Sequence, residues 1–198
     1  MNHIFILTLA VFILFYAIYF AKMLVQRAHG IQTRQLRKGA GKRKETRKVE
    51  MALSFATLAI VPTQLFSMIR DWSLLPNGMR ILGIIAGLLG DFVFLVAVVT
   101  MRDSWRAGVP SEDEKTALVS DGIYKYSRNP AFLGFDLMYI GILLAYCNPV
   151  LLVFTLLAVI TLHLQILQEE KYLSGVFGED YAMYKARTSR YLGRKNGG

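Results

Sequence analysis

Cysteine is almost absent. One residue, Cys147, stands in a chain of 198, which excludes an internal disulfide and any cysteine-cluster metal centre. Histidine is nearly as scarce, and His3, His29 and His163 are too scattered to give a metal-ligand spacing, so no metal site is expected. Charge is sparse too: charged residues make up 19% and hydrophobic residues 54%, with a mean hydropathy of +0.39, a balance too apolar for an ordinary soluble domain of this length. No internal repeat and no glycine- or serine-rich linker divides the chain, so a single domain is expected over 1–198.

Long hydrophobic runs are plentiful. A hydrocarbon core of about 30 Å needs about 20 apolar residues per helix. His3 to Val25, Val49 to Ile69 (interrupted by Pro62 and Gln64) and Met79 to Met101 qualify, and the shorter Ala131 to Tyr146 and Val150 to Leu167 follow, joined by a tight turn at Asn148-Pro149. The pattern predicts an all-α polytopic membrane bundle of about five transmembrane helices, three of them within 1–101 and the rest within 102–198. His3 to Val25 lacks the basic leader of a secretory signal and reads as a retained anchor. The net charge of +9 lies beside these helices rather than along a soluble face, which favours contact with membrane lipids and argues against nucleic acid. Between Lys22 and Lys48 stand ten basic residues (Lys22, Arg27, Arg34, Arg37, Lys38, Lys42, Arg43, Lys44, Arg47, Lys48) and one acid, Glu45. The positive-inside rule makes that loop cytoplasmic. Alternation then puts the N-terminus outside and the basic tail, with Lys185, Arg187, Arg190, Arg194 and Lys195, inside a prokaryotic plasma membrane or an endomembrane. The segment 30–47 reads as a mobile loop drawn to anionic lipid.

Two polar clusters interrupt the apolar C-terminal half. Arg128, Asn129 and Pro130 open the fourth helix: Asn is a good N-cap, Pro suits the first helical position, and the free amides beside the Arg128 fork favour an anionic group such as a carboxylate. Glu169 and Glu170 close the fifth apolar run, and because helix neighbours diverge by about 100°, only one of them faces inward. The hairpin returns both clusters to one side of the membrane, where an inward Glu169 has an ammonium group or Arg128 as its natural partner. Asp91 and Asp136 are carboxylates inside apolar runs, and each either fixes helix packing or lines a polar cavity. Gly83 and Gly87, with Gly90 near the same face, give a small-xxx-small spacing for close helix approach. Val176 to Thr188, with Phe177, Tyr181 and Tyr184 on one face, reads as a C-terminal interfacial amphipathic helix.

The order TALVSDGIYKYSRNPAFLG, an apolar hairpin, then EEKYLSGVFGEDYAMYKARTSRY resembles the integral-membrane methyltransferases typified by isoprenylcysteine carboxyl methyltransferase, with phospholipid methyltransferases as relatives. The resemblance covers Thr116 to Tyr191; the first three helices match only in being hydrophobic. It implies methyl transfer from S-adenosylmethionine to a lipophilic acceptor, with the cofactor bound by the C-terminal half on the cytoplasmic side and no obligate protein partner. No glycine-rich fingerprint follows a strand, so the soluble Rossmann type of methyltransferase does not apply. On the family pattern, Thr116, Ala117, Leu118, Val119, Tyr124, Asn129, Pro130, Ala131, Phe132 and Glu169 line the cofactor site, Arg128 organises its charged end, and Arg128, Asn129 and Glu169 carry the catalytic roles. Asp136 and Gln165 are the acceptor-side candidates. Three departures stand out: Asn129 where the isoprenylcysteine enzymes usually have His, Phe132 where Tyr is common, and Gln165 where members that methylate a prenylcysteine carboxylate often have Arg. A phospholipid or other small-lipid acceptor is the alternative substrate. A noncatalytic membrane scaffold or transporter is the reading from a different class, and a transporter would show repeats or paired polar helices.

Overall fold

A computed structural model describes residues 3–31, 33, 35–36, 43–109 and 117–194. Thr116, Arg34, Arg37, Lys38, Lys42 and Lys195 lie outside the described residues, as does much of the basic loop between the first two helices. Among the described residues five α-helices carry the fold: α1 His3–Ala28, α2 Lys44–Ile69, α3 Asn77–Met101, α4 Pro130–Ala145 and α5 Pro149–Arg187. No named strand occurs among the described residues. α1, α2, α3 and α5 are long and apolar enough to cross a membrane, whereas α4 has 16 residues. At 1.5 Å per residue α4 reaches only about 24 Å, short of a 30 Å slab.

α2 runs without a break through Pro62 and carries Gln64 fully buried, while its hydroxyls at Ser54, Thr57, Thr63 and Ser67 bond their own helix, as Thr63 does to the Ala59 carbonyl at 2.8 Å. The helix starts at Lys44, earlier than its apolar run. Its first turns pack on the rest of the protein, with Thr46 Oγ1 donating to Gln168 Oε1 at 2.8 Å and Glu50 Oε1 accepting from the Val109 amide at 3.3 Å.

The glycine spacing on α3 serves close packing, and its partner is α4. A Cβ on Gly90 would sit 2.7 Å from the Met138 amide nitrogen, and one on Gly141 would sit 2.6 Å from the Gly83 carbonyl oxygen, so the two backbones touch. Gly87 instead makes room for Val11 of α1. Around this contact Phe15, Phe94 and Phe135 form a ring cluster with centroids 4.6 to 5.1 Å apart, which Tyr19 and Trp105 extend toward one end of the bundle.

Chain direction alternates as the apolar pattern requires. At one end the α2–α3 turn meets the α4–α5 turn: the Leu74 amide donates to the Cys147 carbonyl at 2.7 Å, Asn148 caps α5 through the Leu151 amide at 2.9 Å, and buried Arg80 donates to the Ala145 carbonyl at 2.8 Å and lies over the Tyr146 ring. At the other end Gln26 of α1 donates to the Trp105 carbonyl at 2.9 Å, and segments around Thr33 and Ala107 exchange backbone bonds. That second end holds the α1–α2 and α3–α4 connections and the tail.

The C-terminal amphipathic helix has different limits from those the sequence pattern suggests. α5 continues past Leu167 to Phe177 and breaks only at Gly178, whose φ of +48° and ψ of −117° lie where glycine is unstrained and an L side chain is strained. Beyond the break the helix to Arg187 buries Tyr181 and Tyr184, the face expected to cover the bundle.

Candidate active site

Four pieces of chain meet at the second end: the loop 121–129, the first turn of α4, α5 beyond its apolar stretch of 150–167, and the tail 188–194. Glu170 ties them together. Its side chain is 7% exposed, and its Oε1 accepts from Arg128 Nη2 at 2.8 Å, Arg128 Nε at 3.2 Å and Asn129 Nδ2 at 3.2 Å. Its Oε2 accepts from Arg190 Nη2 at 2.9 Å and Nε at 3.2 Å. Burial pushes the Glu170 carboxyl up, but the hydrogen bonds and charges of Arg190 and Arg128 outweigh it and hold the group below the usual carboxylate range. The carboxylate is therefore ionised at neutral pH.

Arg128 is spent almost wholly on the protein itself. Besides Glu170 it donates from Nη1 to the carbonyls of Thr188 at 2.6 Å and Lys185 at 3.5 Å, closing the C-terminal end of the last helix. Its amide donates to the Ser189 carbonyl at 3.0 Å, and the Gly193 amide donates to the Tyr126 carbonyl at 2.9 Å, so the tail is laced along the loop. Tyr184 Oη adds a bond of 2.7 Å to the carbonyl of buried Tyr124. Tyr124 belongs to a 3-10 turn at Gly122–Lys125, entered through Gly122 at φ +57°, where a Cβ would stand 3.0 Å from the Thr100 methyl.

Two sequence expectations need correction here. Glu170, not Glu169, is the inward partner of Arg128. Asn129 precedes α4 at the N-cap position but makes no side-chain cap bond; its Nδ2 turns to Glu170 and to the Arg190 carbonyl at 3.2 Å because the buried carboxylate offers a stronger, charged acceptor. Pro130 does begin the helix.

Glu169 lies half-buried beside this collar of Arg128, Asn129, Glu170 and Arg190, and its Oε1 accepts from Gln165 Nε2 at 3.1 Å. Gln165 is 1% exposed, and its own Oε1 has no hydrogen-bond partner among the described residues. Burial first, then Tyr184 and the Glu169 carboxylate, hold the Tyr124 hydroxyl above its ordinary value. Ala117 is exposed, Leu118 and Val119 are half-buried in the irregular run before the 3-10 turn, and Ala131 and Phe132 pack the first turn of α4 against the core. Asp136 lies farther down α4, with Oδ1 buried and unpartnered among the described residues; Asp91 is 2% exposed with both oxygens in that condition.

The collar members that the motif reading passed over are Glu170 and Arg190. A signal for Glu170 existed: Ala158, Leu162 and Ile166 repeat every four residues along the buried face of α5, and the next step is Glu170. Nothing in the local sequence marks Arg190 apart from the other basic residues of the tail.

The fold and its collar define a class: an apolar helical bundle with a buried charged network at one end, between the start of α4 and a folded tail. The phospholipid methyltransferase family model matches residues 79–180, just over half of the chain, and the chain belongs to that family. Curated relatives agree in kind. Protein-S-isoprenylcysteine O-methyltransferase of Saccharomyces cerevisiae is 33% identical over 141 residues, covering 68% of this chain and 58% of that protein. The Xenopus laevis protein of the same name is 30% identical over 111 residues, 55% of this chain and 38% of its own length. A probable member from Oryza sativa subsp. indica is 27% identical over 137 residues, 68% and 70% of the two chains. The chain thus spans about two fifths to three fifths of the first two relatives.

Proposed function

We propose that this protein transfers a methyl group from S-adenosylmethionine to a lipophilic acceptor at the cytoplasmic face of a membrane. The reading is carried by the unpartnered, buried Gln165 Oε1 beside the Glu169 carboxylate, set against a collar in which Glu170 is already neutralised by two arginines. The Glu169 carboxylate and Gln165 Oε1 are hydrogen-bond acceptors, which suits the ammonium and ribose hydroxyls of the cofactor. The α4 start supplies amides and the positive end of a helix dipole for its carboxylate. When bound, the cofactor supplies an electrophilic sulfonium methyl.

The chain's own part is binding, orientation and exclusion of water. Arg128 acts as a positioning residue: it fixes the last helix over the site through Thr188 and Lys185 and locks the α4 start to α5 through Glu170. α4 falls short of the slab by about 6 Å, so its start is recessed and a membrane-borne acceptor can meet a water-borne cofactor there. The basic connections at the same end orient it toward the cytoplasm. In-line displacement in such a site draws on positioning and on the removal of water.

Calorimetric titration of the purified protein in detergent tests the cofactor reading. Saturable binding of S-adenosylmethionine, weakened at least about tenfold by Glu169→Ala (a charge-assisted hydrogen bond of about 1.5–3 kcal/mol), is the expected result. Equal affinity in parent and variant would remove Glu169 from its role, and no binding by the parent would sink the proposal.

A further inference from the structure

The tail does more than lie across the collar. Its residues 189–193 close a tight loop: the Ser189 amide donates to the Gly193 carbonyl at 2.9 Å, Gly193 takes a φ of +114°, and Thr188 and Arg194 pair as an antiparallel bridge. Tyr191 and Leu192 form the tip of that loop. Arg190, just before the tip, is held at collar level by Glu170. Tyr191 reaches past that level. Its Oη stands 2.5 Å from His163 Nδ1, and the two rings stack at 5.9 Å with planes 17° apart. His163 precedes Glu170 by seven residues on α5, about 10 Å along the helix axis away from the collar. It belongs to the apolar stretch 150–167 of a helix long and apolar enough to cross a membrane.

The tip therefore lies where water ends. An imidazole in an apolar span needs a polar partner, and a phenol, apolar in body and polar at its end, can bring one down from the headgroup layer. Beside it Leu192 is 68% exposed, and Tyr126, whose carbonyl accepts from the Gly193 amide at 2.9 Å, is 60% exposed. A single exposed leucine carries no information in water; the depth that its neighbour reaches gives this one a setting. Next to the two stand exposed Arg194 and exposed Lys125, whose carbonyl accepts from Thr188 Oγ1 at 3.4 Å and whose Nζ lies 3.4 Å from Asp121 Oδ1. Apolar and aromatic side chains with a basic fringe are the pattern of a segment seated in the headgroup layer. The last helix does not supply that contact with its aromatic face, because Tyr181 and Tyr184 are turned onto the bundle.

We propose that the tail tip is a membrane anchor: Tyr191 and Leu192, held down by His163, dip into the phospholipid leaflet at the collar end, with Tyr126 at its surface and Lys125 and Arg194 among the phosphates. The leaflet then helps to keep the tail down, and with it Arg190 on Glu170. The inference stands on the placement of the tail and is independent of the methyl-transfer reading.

Cys147 is the only cysteine of the chain and lies at the opposite end of the bundle, so a Cys147→Ser background accepts single cysteines for a polarity-sensitive fluorophore. The full chain is placed in nanodiscs of mixed zwitterionic and anionic phospholipid. A probe at Leu192→Cys is expected to emit as in an apolar medium and to be quenched by lipids that carry a nitroxide near the top of the acyl chain. It should be at least about threefold less open to aqueous iodide than a probe at Ala186→Cys on the exposed side of the last helix. Adding Tyr191→Ala should lift the tip and return the Leu192→Cys probe to water. In unlabelled protein Leu192→Ser is expected to speed trypsin cleavage after Arg190 about tenfold; this exposed substitution decides the matter if Tyr191→Ala fails to fold. Aqueous emission at Leu192→Cys, with iodide quenching equal to that at Ala186→Cys, would overturn the proposal and leave the patch to a soluble partner. Equal lipid quenching at the two positions, a probe unmoved by Tyr191→Ala, or a Leu192→Ser tail cleaved at the parent's rate would overturn it as well.

Discussion

Replacing Glu170 with alanine removes the carboxylate that five donor atoms share and leaves the Arg128 guanidinium buried with two carbonyls for company. Breaking a buried ion pair from one side costs about 3–5 kcal/mol. The Arg190 half of the network is discounted, since that side chain is 35% exposed and water screens it. The Arg128 half, at 4% exposed, keeps nearly its full weight, so about 3 kcal/mol is expected for Glu170→Ala. Glu170→Gln retains an acceptor oxygen without the charge and should cost about 2 kcal/mol. Equilibrium unfolding in mixed micelles measures the loss. Trypsin cleavage at Arg187 and Arg190 reports release of the tail, which the network pins to the loop. Because Arg128 and Glu170 are each other's main partner, Arg128→Ala with Glu170→Ala should fall short of the summed single losses by at least about 1 kcal/mol. A Glu170→Ala variant within about 0.5 kcal/mol of the parent, or one less destabilised than Glu169→Ala, would refute the reasoning.

The folded Glu170 carboxyl is held below its unfolded value, so its contribution to stability is present above the unfolded pKa near 4.3 and is lost as pH falls through the folded one; unfolding measured between pH 3 and 6 should show this acid loss in the parent and a reduced slope in Glu170→Gln. Gly141→Ala places a Cβ 2.6 Å from the Gly83 carbonyl and the Gly87 amide and should cost about 1–3 kcal/mol or more by overpacking, whereas Gly175→Ala, with nothing within 4 Å, should be neutral or stabilise by up to about 1 kcal/mol. Thermal melts of the two variants side by side check the contrast.

The bundle itself was legible because lipid makes hydropathy a strong signal: five apolar runs became five helices, and Asn148-Pro149 became the capped turn that folds α4 back along α5. Glycine spacing announced a close contact on α3 but not its partner, since Gly134 and Gly141 find Gly83 and Gly90 only when two helices pack. The meeting of Arg128 with the glutamate pair was equally readable. Which glutamate turns inward was harder to read: the four-residue step Ala158, Leu162, Ile166 leads on to Glu170, but the run has apolar residues on its other faces too, and a shift of one residue is 100° of helix phase. Asn129 broke its capping rule for a tertiary reason: a buried carboxylate outbids two helix amides. The joining of Arg190 to Glu170 and of Tyr191 to His163 depends on the tail folding back across the collar, a long-range event without a local sequence signal.

Radiolabelled methyl transfer from S-adenosylmethionine into a membrane lipid extract, with purified protein and an alkali wash to separate labile esters from stable N-methyl groups, reaches the central claim most directly. Protein-dependent label in the organic phase, lost in Glu169→Ala, is the result expected of a methyltransferase for a lipophilic acceptor, and its fate in alkali tells an ester from an N-methyl group. An extract that gains no label from a protein shown to be folded would contradict it.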